Sequence, residues 1–425
     1  MSTPGGMTDG YRRYALSVLL VVYVFNFIDR QVLSILAEDI KKDIPFSDTV
    51  YGLIAGPAFA ILYTFIGLPV GRWADTGTRR TILAIALFLW SLMTALTAFV
   101  QTVTQLVIAR IGVAVGESGG SPPSHSMISD IFPPEQRATA LGIYSLGISI
   151  GGGLGLLLGG WSAHFFGWRN TFLIVGLPGL LLALIVRLTL KEPPRGANEV
   201  VQASDGPETL RRTVRFMLRL PSFLHMSLGA SLHAVYGYAA AAWVPIFLIR
   251  IHNMERAEVG TWIGLITITV GVLGTFLGGL ISDRIAQRDV RWYMRVPAIA
   301  SAIGIPFAFA FYLWPEPRTA ILLSIPGSLI GGVYLGPTFA MTQSLVRPKM
   351  RALASAILLF IINLIGLTLG PLLVGRLADM LAPTYGPESL RYSLLWVVVI
   401  GAAWATLQYL LAARTLEKDL QAKHA

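Results

Sequence analysis

Gly71-Arg72-Trp73-Ala74-Asp75-Thr76-Gly77-Thr78-Arg79-Arg80 closes an apolar run, and Gly279-Leu280-Ile281-Ser282-Asp283-Arg284 closes another, roughly 210 residues later. Two more stretches return at nearly the same offset. Pro134-x-x-Arg137-Ala138 comes back as Pro348-x-x-Arg351-Ala352, and Gly155-x-x-x-x-Gly160 as Gly370-x-x-x-x-Gly375. A duplicated chain with two similar halves of about 200 residues is a common plan for membrane transporters, whose halves rock about a central site.

Composition agrees. Hydrophobic residues make up 54% of the chain and charged residues 13%, with a mean hydropathy of +0.65. A soluble domain carries about 25% charged residues. The net charge of +10 lies in short loops between apolar runs, which favours membrane orientation over nucleic-acid binding. With no cysteine there are no disulfides or thiolate metal sites. The first apolar run, about Tyr14 to Ala37, is too long for a cleaved signal peptide.

A span needs roughly 20 apolar residues. Twelve such runs centre near Tyr23, Phe59, Trp90, Val113, Gly151, Gly179, Val235, Leu273, Ile303, Gly331, Ile365 and Gly401. The sequence therefore predicts an all-α membrane protein of two pseudo-symmetric six-helix bundles, 1–190 and 222–413, joined by a cytoplasmic linker, 191–221, with a cytoplasmic tail from 414 to 425. With the N-terminus inside, Lys and Arg in inner segments outnumber those in outer loops about three to one, placing both termini in the cytoplasm. Within the linker, Glu208 to Leu220 sets Arg211, Arg212, Arg215 and Arg219 beside Leu210, Val214, Met217 and Leu218, the pattern of a helix lying on the inner leaflet. The plain alternative is a solvated tether. The glycines crowding the fifth and eleventh spans permit close helix packing.

Charge inside a span is costly and usually functional. Span one carries Asp29-Arg30; span four carries Arg110 and Glu117, seven residues apart on one helix face. These four could merely glue two helices together. The functional alternative makes Asp29 and Glu117 proton-coupling acids and lets Arg30 and Arg110 hold an anionic substrate group. The second half offers few polar side chains to a central cavity: His233, Tyr236, Tyr238, Gln343 and Asn363. A charged first half facing an apolar second half suits an amphiphile better than a sugar.

Asp75 and Asp283 end spans two and eight at equivalent places. Each could dock on a positive helix N-terminus of the opposite half, span eleven for Asp75 and span five for Asp283, and so lock the inner side. Arg79, Arg80, Arg137, Arg284 and Arg351 are assigned to the same inner gate. Each aspartate could equally be a simple loop charge. Gly116-Glu117-Ser118-Gly119-Gly120 fits the G-x-S-x-G nucleophile pattern, but no strand-turn-helix is expected around it, and a serine–histidine dyad would need His225 or His233 from the other half. Neither G-x-x-x-x-G-K-[ST] nor H-E-x-x-H occurs.

The Gly71–Arg80 loop resembles the signature loop of the major facilitator superfamily, departing from it at Thr76 and Thr78. Arg110-Ile-Gly-Val-Ala-Val-Gly116-Glu117 resembles its span-four motif, and Gly167-Trp168-Arg169 agrees with it. Asp29-Arg30, Gly116-Glu117-Ser118 and Asp130-Ile-Phe-Pro133-Pro134-Glu-Gln-Arg137-Ala are most similar to the Spinster branch, in particular to bacterial Spinster homologues, and share much with the anion:cation symporters. The chain is expected to be a bacterial inner-membrane monomer that needs no cofactor or metal and is not an enzyme. The resemblance implies proton-linked movement of a substrate with an anionic head and an apolar tail, such as a lysophospholipid or sphingosine-1-phosphate, amid membrane lipids. Asp29, Arg30, Arg110 and Glu117 match the polar central cluster of that branch. A small organic-anion:proton symporter, an intramembrane serine hydrolase and a scramblase or channel remain as alternatives.

Overall fold

A bilayer core has no water for backbone amides and carbonyls, so an apolar chain must bond them internally, and helices do this within one segment. The computed structural model describes residues 7–195 and 209–422. These residues form α1 (Asp9–Asp43), α2 (Asp48–Ala55), α3 (Pro57–Thr76), α4 (Arg79–Leu96), α5 (Val103–Glu117), α6 (Ser121–Ile131) and α7 (Pro134–Thr189). After these come α8 (Leu210–Met217), α9 (Pro221–Arg250), α10 (Arg256–Ala286), α11 (Trp292–Leu313), α12 (Pro317–Gly331), α13 (Leu335–Leu345), α14 (Arg351–Ile362), α15 (Thr368–Tyr385) and α16 (Ser389–Ala422).

Among the described residues, nine helical stretches are long and apolar enough to cross a membrane. Two of them each hold two passes. In α7 the chain reverses at Gly167, whose φ of +77° suits a residue without a Cβ. The second stretch runs from α14 through α16, past a positive-φ Gly386. Span four escapes a length criterion because it is broken between α5 and α6; with it, the described residues provide twelve passes. The break between α12 and α13 is its counterpart in the second half, and span eleven contains a π-turn at Asn363–Leu367. Leu188 (70% exposed) and Phe276 (66% exposed) belong to a broad apolar outer surface suited to lipid rather than water.

The contacts divide the chain into two units. In the first, α1 packs along α7, and α4 lies against α5 and α7. This unit also takes in Glu255–Ile268 from the start of α10. In the second, α9 and α11 pack on α16, and α15 packs on α2, because Ser47–Pro57 belongs here.

The repeated glycines explain both exchanges. A Cβ on Gly155 would run into the Ile28 carbonyl, and one on Gly370 into the Val235 carbonyl, so each glycine seats its helix on the first span of its half. Gly160 and Gly375 do the same for the exchanged segments, lying directly against the carbonyls of Arg256 and Asp48. Ion pairs finish each seam: Arg256 to Asp39 in the first unit, and Arg250 to Asp48 at 2.6 Å in the second. Asp379 accepts from the amides of Asp48 (3.1 Å) and Thr49 (2.8 Å), capping α2.

The tail from 414 is helical through Ala422, because Leu416 is buried and Asp419 accepts the Ser222 amide at 2.8 Å. Of the linker, 196–208 lie outside the described residues, including Glu208 of the amphipathic stretch. The described remainder forms α8, with Thr213 and Met217 buried and Arg211, Arg212 and Arg215 exposed.

Candidate functional site

The four membrane-embedded charges of the first unit come together. On α1, Asp29 and Arg30 are about 100° apart around the axis and therefore face different neighbours. Arg30 Nε donates to Glu117 Oε2 at 2.7 Å, and the Glu117 side chain is fully buried. Glu117 reaches this position because it ends α5, and Gly116 lets that helix rest on the backbone of Trp90.

Three rings surround the Arg30 guanidinium: Phe27 at 4.8 Å, Phe59 at 4.9 Å and Tyr63 at 4.8 Å from the ring centres. Arg110 lies 4.3 Å from the centre of the same Phe59 ring. One fully buried phenyl thus meets two cations, whose charge its π-system attracts. Sequence reasoning missed Phe27, Phe59 and Tyr63. Their only signal was that Phe59 and Tyr63 share a face of span two, and lipid-facing aromatics do that as well.

Asp29 bonds a different neighbour from the Arg30–Glu117 pair. Its Oδ2 accepts from Thr94 Oγ1 at 3.0 Å, while its buried Oδ1 has no hydrogen-bond partner. Beside it lies a cavity of about 20 Å³, whose polar walls are Asp29, Thr94, Thr97 and Arg110.

The inner-gate residues divide by environment. Asp75, Arg284 and Arg351 are exposed, and Arg137 is half-buried. Asp283 accepts from Tyr293 Oη at 2.8 Å. Arg79 is 1% exposed, paired with Asp130 and, at 2.7 Å, with Glu192; it also donates to Ser126 and to the Pro193 carbonyl. Arg80 gives its amide to Glu192 at 2.9 Å and its guanidinium to the Leu190 carbonyl. Arg195 bonds the carbonyls of Ala74 and Gly77. The segment after α7 is therefore strapped to the Gly71–Arg80 loop, a role for Asp130, Glu192 and Arg195 that sequence reasoning did not assign.

The polar residues expected to bind substrate from the second half do not form one cluster. His233 is buried among Ser301 (3.2 Å), the Gly331 carbonyl (3.2 Å) and Tyr236 Oη (2.5 Å), and stacks on Tyr334. It meets the carbonyl freed at the α12–α13 break. Asn363 accepts from Tyr238 at 3.2 Å, and Gln343 donates to Ser355 at 3.1 Å. Ser118, the serine of the hydrolase pattern, donates to the Val115 carbonyl at 2.7 Å, and His225 contacts Gln408.

This fold and charge cluster define a multi-pass membrane transporter. The sequence profile of the Major Facilitator Superfamily matches residues 19–371. The chain is 34% identical, over 96% of its length and 94% of the relative's, to a protein of Mycolicibacterium smegmatis described as an MFS-type efflux pump. It is 29% identical to protein spinster homolog 1 of Xenopus tropicalis, over 96% of this chain and 82% of that one. Among solved structures it resembles a bacterial homologue of the human lysosomal transporter Spinster, captured inward-facing and unoccupied. The TM-score is 0.86 at 31% identity, covering 97% of this chain and 99% of that one. The chain belongs to the Major Facilitator Superfamily and, within it, to the Spinster branch.

Proposed function

We propose that this chain is a proton-coupled secondary transporter of an amphiphilic anion, a lysophospholipid or sphingosine-1-phosphate-like lipid, working by alternating access in a bacterial inner membrane with both termini cytoplasmic. The observation that carries the reading is that both membrane-embedded acids of the first unit are buried with one carboxylate oxygen bonded and the other not. Glu117 Oε2 meets Arg30 and Asp29 Oδ2 meets Thr94, whereas Glu117 Oε1 and Asp29 Oδ1 have no hydrogen-bond partner. An acid whose charge is incompletely compensated inside a membrane is the group best placed to take up and release a proton. Arg30 and Arg110, flanked by Phe59, offer cationic and aromatic contacts to an anionic head that bears a tail.

His233, Tyr236, Gln343 and Asn363 are the polar contacts proposed for the second half, and Asp75, Asp283 and their neighbouring arginines the inner gate. A second reading, export rather than uptake, is favoured by the mycobacterial relative described as an efflux pump. The test is uptake of a fluorescent lysophospholipid into proteoliposomes, with and without an imposed proton gradient. Gradient-driven uptake by the wild type that is lost in Asp29→Asn and Glu117→Gln is expected. Full gradient dependence in both variants would overturn the proton assignment. Failure of every lysolipid alongside transport of small organic acids would overturn the substrate class.

A further inference from the structure

The cavity beside Asp29 lies inside the first unit, on one side of the carboxylate. Its lining runs from Asp29 and Leu33 on α1, past Thr94 on α4 and Arg110 on α5, to Thr97 in the short turn that follows α4. That turn marks one particular end of the unit. Arg169 joins its Val100 carbonyl (3.3 Å) to Asp43 at the end of α1, and Trp168 Nε1 donates to the same Asp43 at 2.9 Å. The opposite end holds Tyr14 against Thr189 and Tyr11 against the Lys191 amide. The cavity therefore lies on the side of Asp29 toward the end of the unit away from the N-terminus, which is the outer face in the orientation proposed above.

Size and chemistry both suit water. A site needs about 10–15 Å³ for one water and two or more polar partners, and this one has about 20 Å³. The unpartnered Oδ1 of Asp29, on a residue 4% exposed, is an acceptor that the protein leaves unmet. Thr97, 5% exposed, also lines the cavity; its hydroxyl donates to the Met93 carbonyl at 2.9 Å, which leaves the oxygen able to accept from a water.

We propose that this cavity holds a water that relays protons between the turn at Thr97–Val100 and Asp29, giving the acid its own route through the first unit. The inference rests on Asp29 being the coupling acid. In the step, a hydronium at the turn passes a proton to the cavity water, which gives one to Asp29 Oδ1. One O–H bond breaks at water as one forms at the carboxylate, and no other reactant is needed. The charged groups near Asp29 are Arg110 and Glu117 from α5 and Arg30 from α1; α4 contributes Thr94 and α7 Phe172, both neutral. Leu106 and Phe172 are the apolar walls whose size sets the room available.

Infrared spectroscopy after a rapid pH drop tests this without a transport substrate. The C=O band that appears in wild type and is missing in Asp29→Asn reports protonation of this acid. Leu106→Phe fills the cavity and is expected to slow the appearance of the band about a hundredfold or more, the scale of a lost proton-transfer group. Adding Phe172→Leu returns the space and should restore the rate. Thr97→Val, which keeps the shape, should slow it in the same direction even if Leu106→Phe folds poorly. Wild-type rates in both Leu106→Phe and Thr97→Val would overturn the route while leaving Asp29 as the acid. A spectrum unchanged by Asp29→Asn would overturn the acid and the route together.

Discussion

Replacing Glu117 with glutamine removes a negative charge but keeps the shape. In the folded protein the carboxylate meets Arg30 at 2.7 Å, with side-chain exposures of 0% and 12%. Removing one partner of a buried pair costs about 3–5 kcal/mol, because the other charge is left uncompensated. The glutamine oxygen still accepts a neutral hydrogen bond worth about 1 kcal/mol, and the three rings around Arg30 remain. A loss of about 3 kcal/mol follows. For a unit of about 200 residues, each kcal/mol moves the midpoint by roughly 2–4 °C, so Glu117→Gln should melt about 6–12 °C lower. The assay is the apparent midpoint of purified protein in one detergent at pH 7 and a fixed scan rate, since such unfolding is irreversible. The double variant Arg30→Gln/Glu117→Gln should melt above Glu117→Gln alone, because it also removes the cation whose charge Glu117 offset. A single variant within about 2 °C of wild type, or a double variant whose loss equals the sum of the singles, would refute the buried-pair argument.

Thr94→Val removes the donor to Asp29 Oδ2 and should change the pH dependence of gradient-driven uptake while leaving equal-pH exchange in place; an unaltered pH profile would count against that bond. Gly160→Val and Gly375→Val should each lower the melting midpoint by several degrees, since overpacking costs about 1–3 kcal/mol. Gly142→Ala, where a Cβ meets nothing within 4 Å, should leave the midpoint unchanged or slightly raised. At the start of α12, exposed Glu316 accepts from the Thr319 side chain and amide and from the Arg318 amide, which hold its pKa below the usual 4.5. A carboxylate with a depressed folded value adds stability above its unfolded value and loses it as the pH falls through the folded one. The wild-type midpoint should therefore drop more steeply below about pH 4.5 than that of Glu316→Gln.

Much of this was legible because a membrane leaves the chain few options. Apolar runs must be helices, and a repeat such as Gly155/Gly160 with Gly370/Gly375 must serve the same contact twice. The four charges on spans one and four were legible for a related reason, since a charge in such a run needs a partner. The aromatic surroundings of Arg30 were not, because Phe59 in an apolar run reads the same whether it meets a cation or a lipid. The broken fourth span was hidden too: Ser118, Gly119 and Gly120 are small residues that a packed helix would also tolerate. Glu192 and Arg195 read as linker charges because their partners, Arg79 and the Ala74 carbonyl, lie more than a hundred residues away in sequence.

The π-turn at Asn363–Leu367 has a history written into its numbering. From Arg137 to Gly155 the chain advances eighteen residues; from Arg351 to Gly370 it advances nineteen. An extra residue in a regular helix would rotate everything beyond it by about 100° and carry Gly370 and Gly375 off the backbones they rest on. Instead the surplus is absorbed in one wide turn, while the matching stretch of α7 stays plain α-helix. The two copies thus diverged in length without diverging in facing. Span eleven should accordingly tolerate the deletion of one residue within 363–367, but not between Gly370 and Gly375, where the same loss would turn the second glycine away from Asp48.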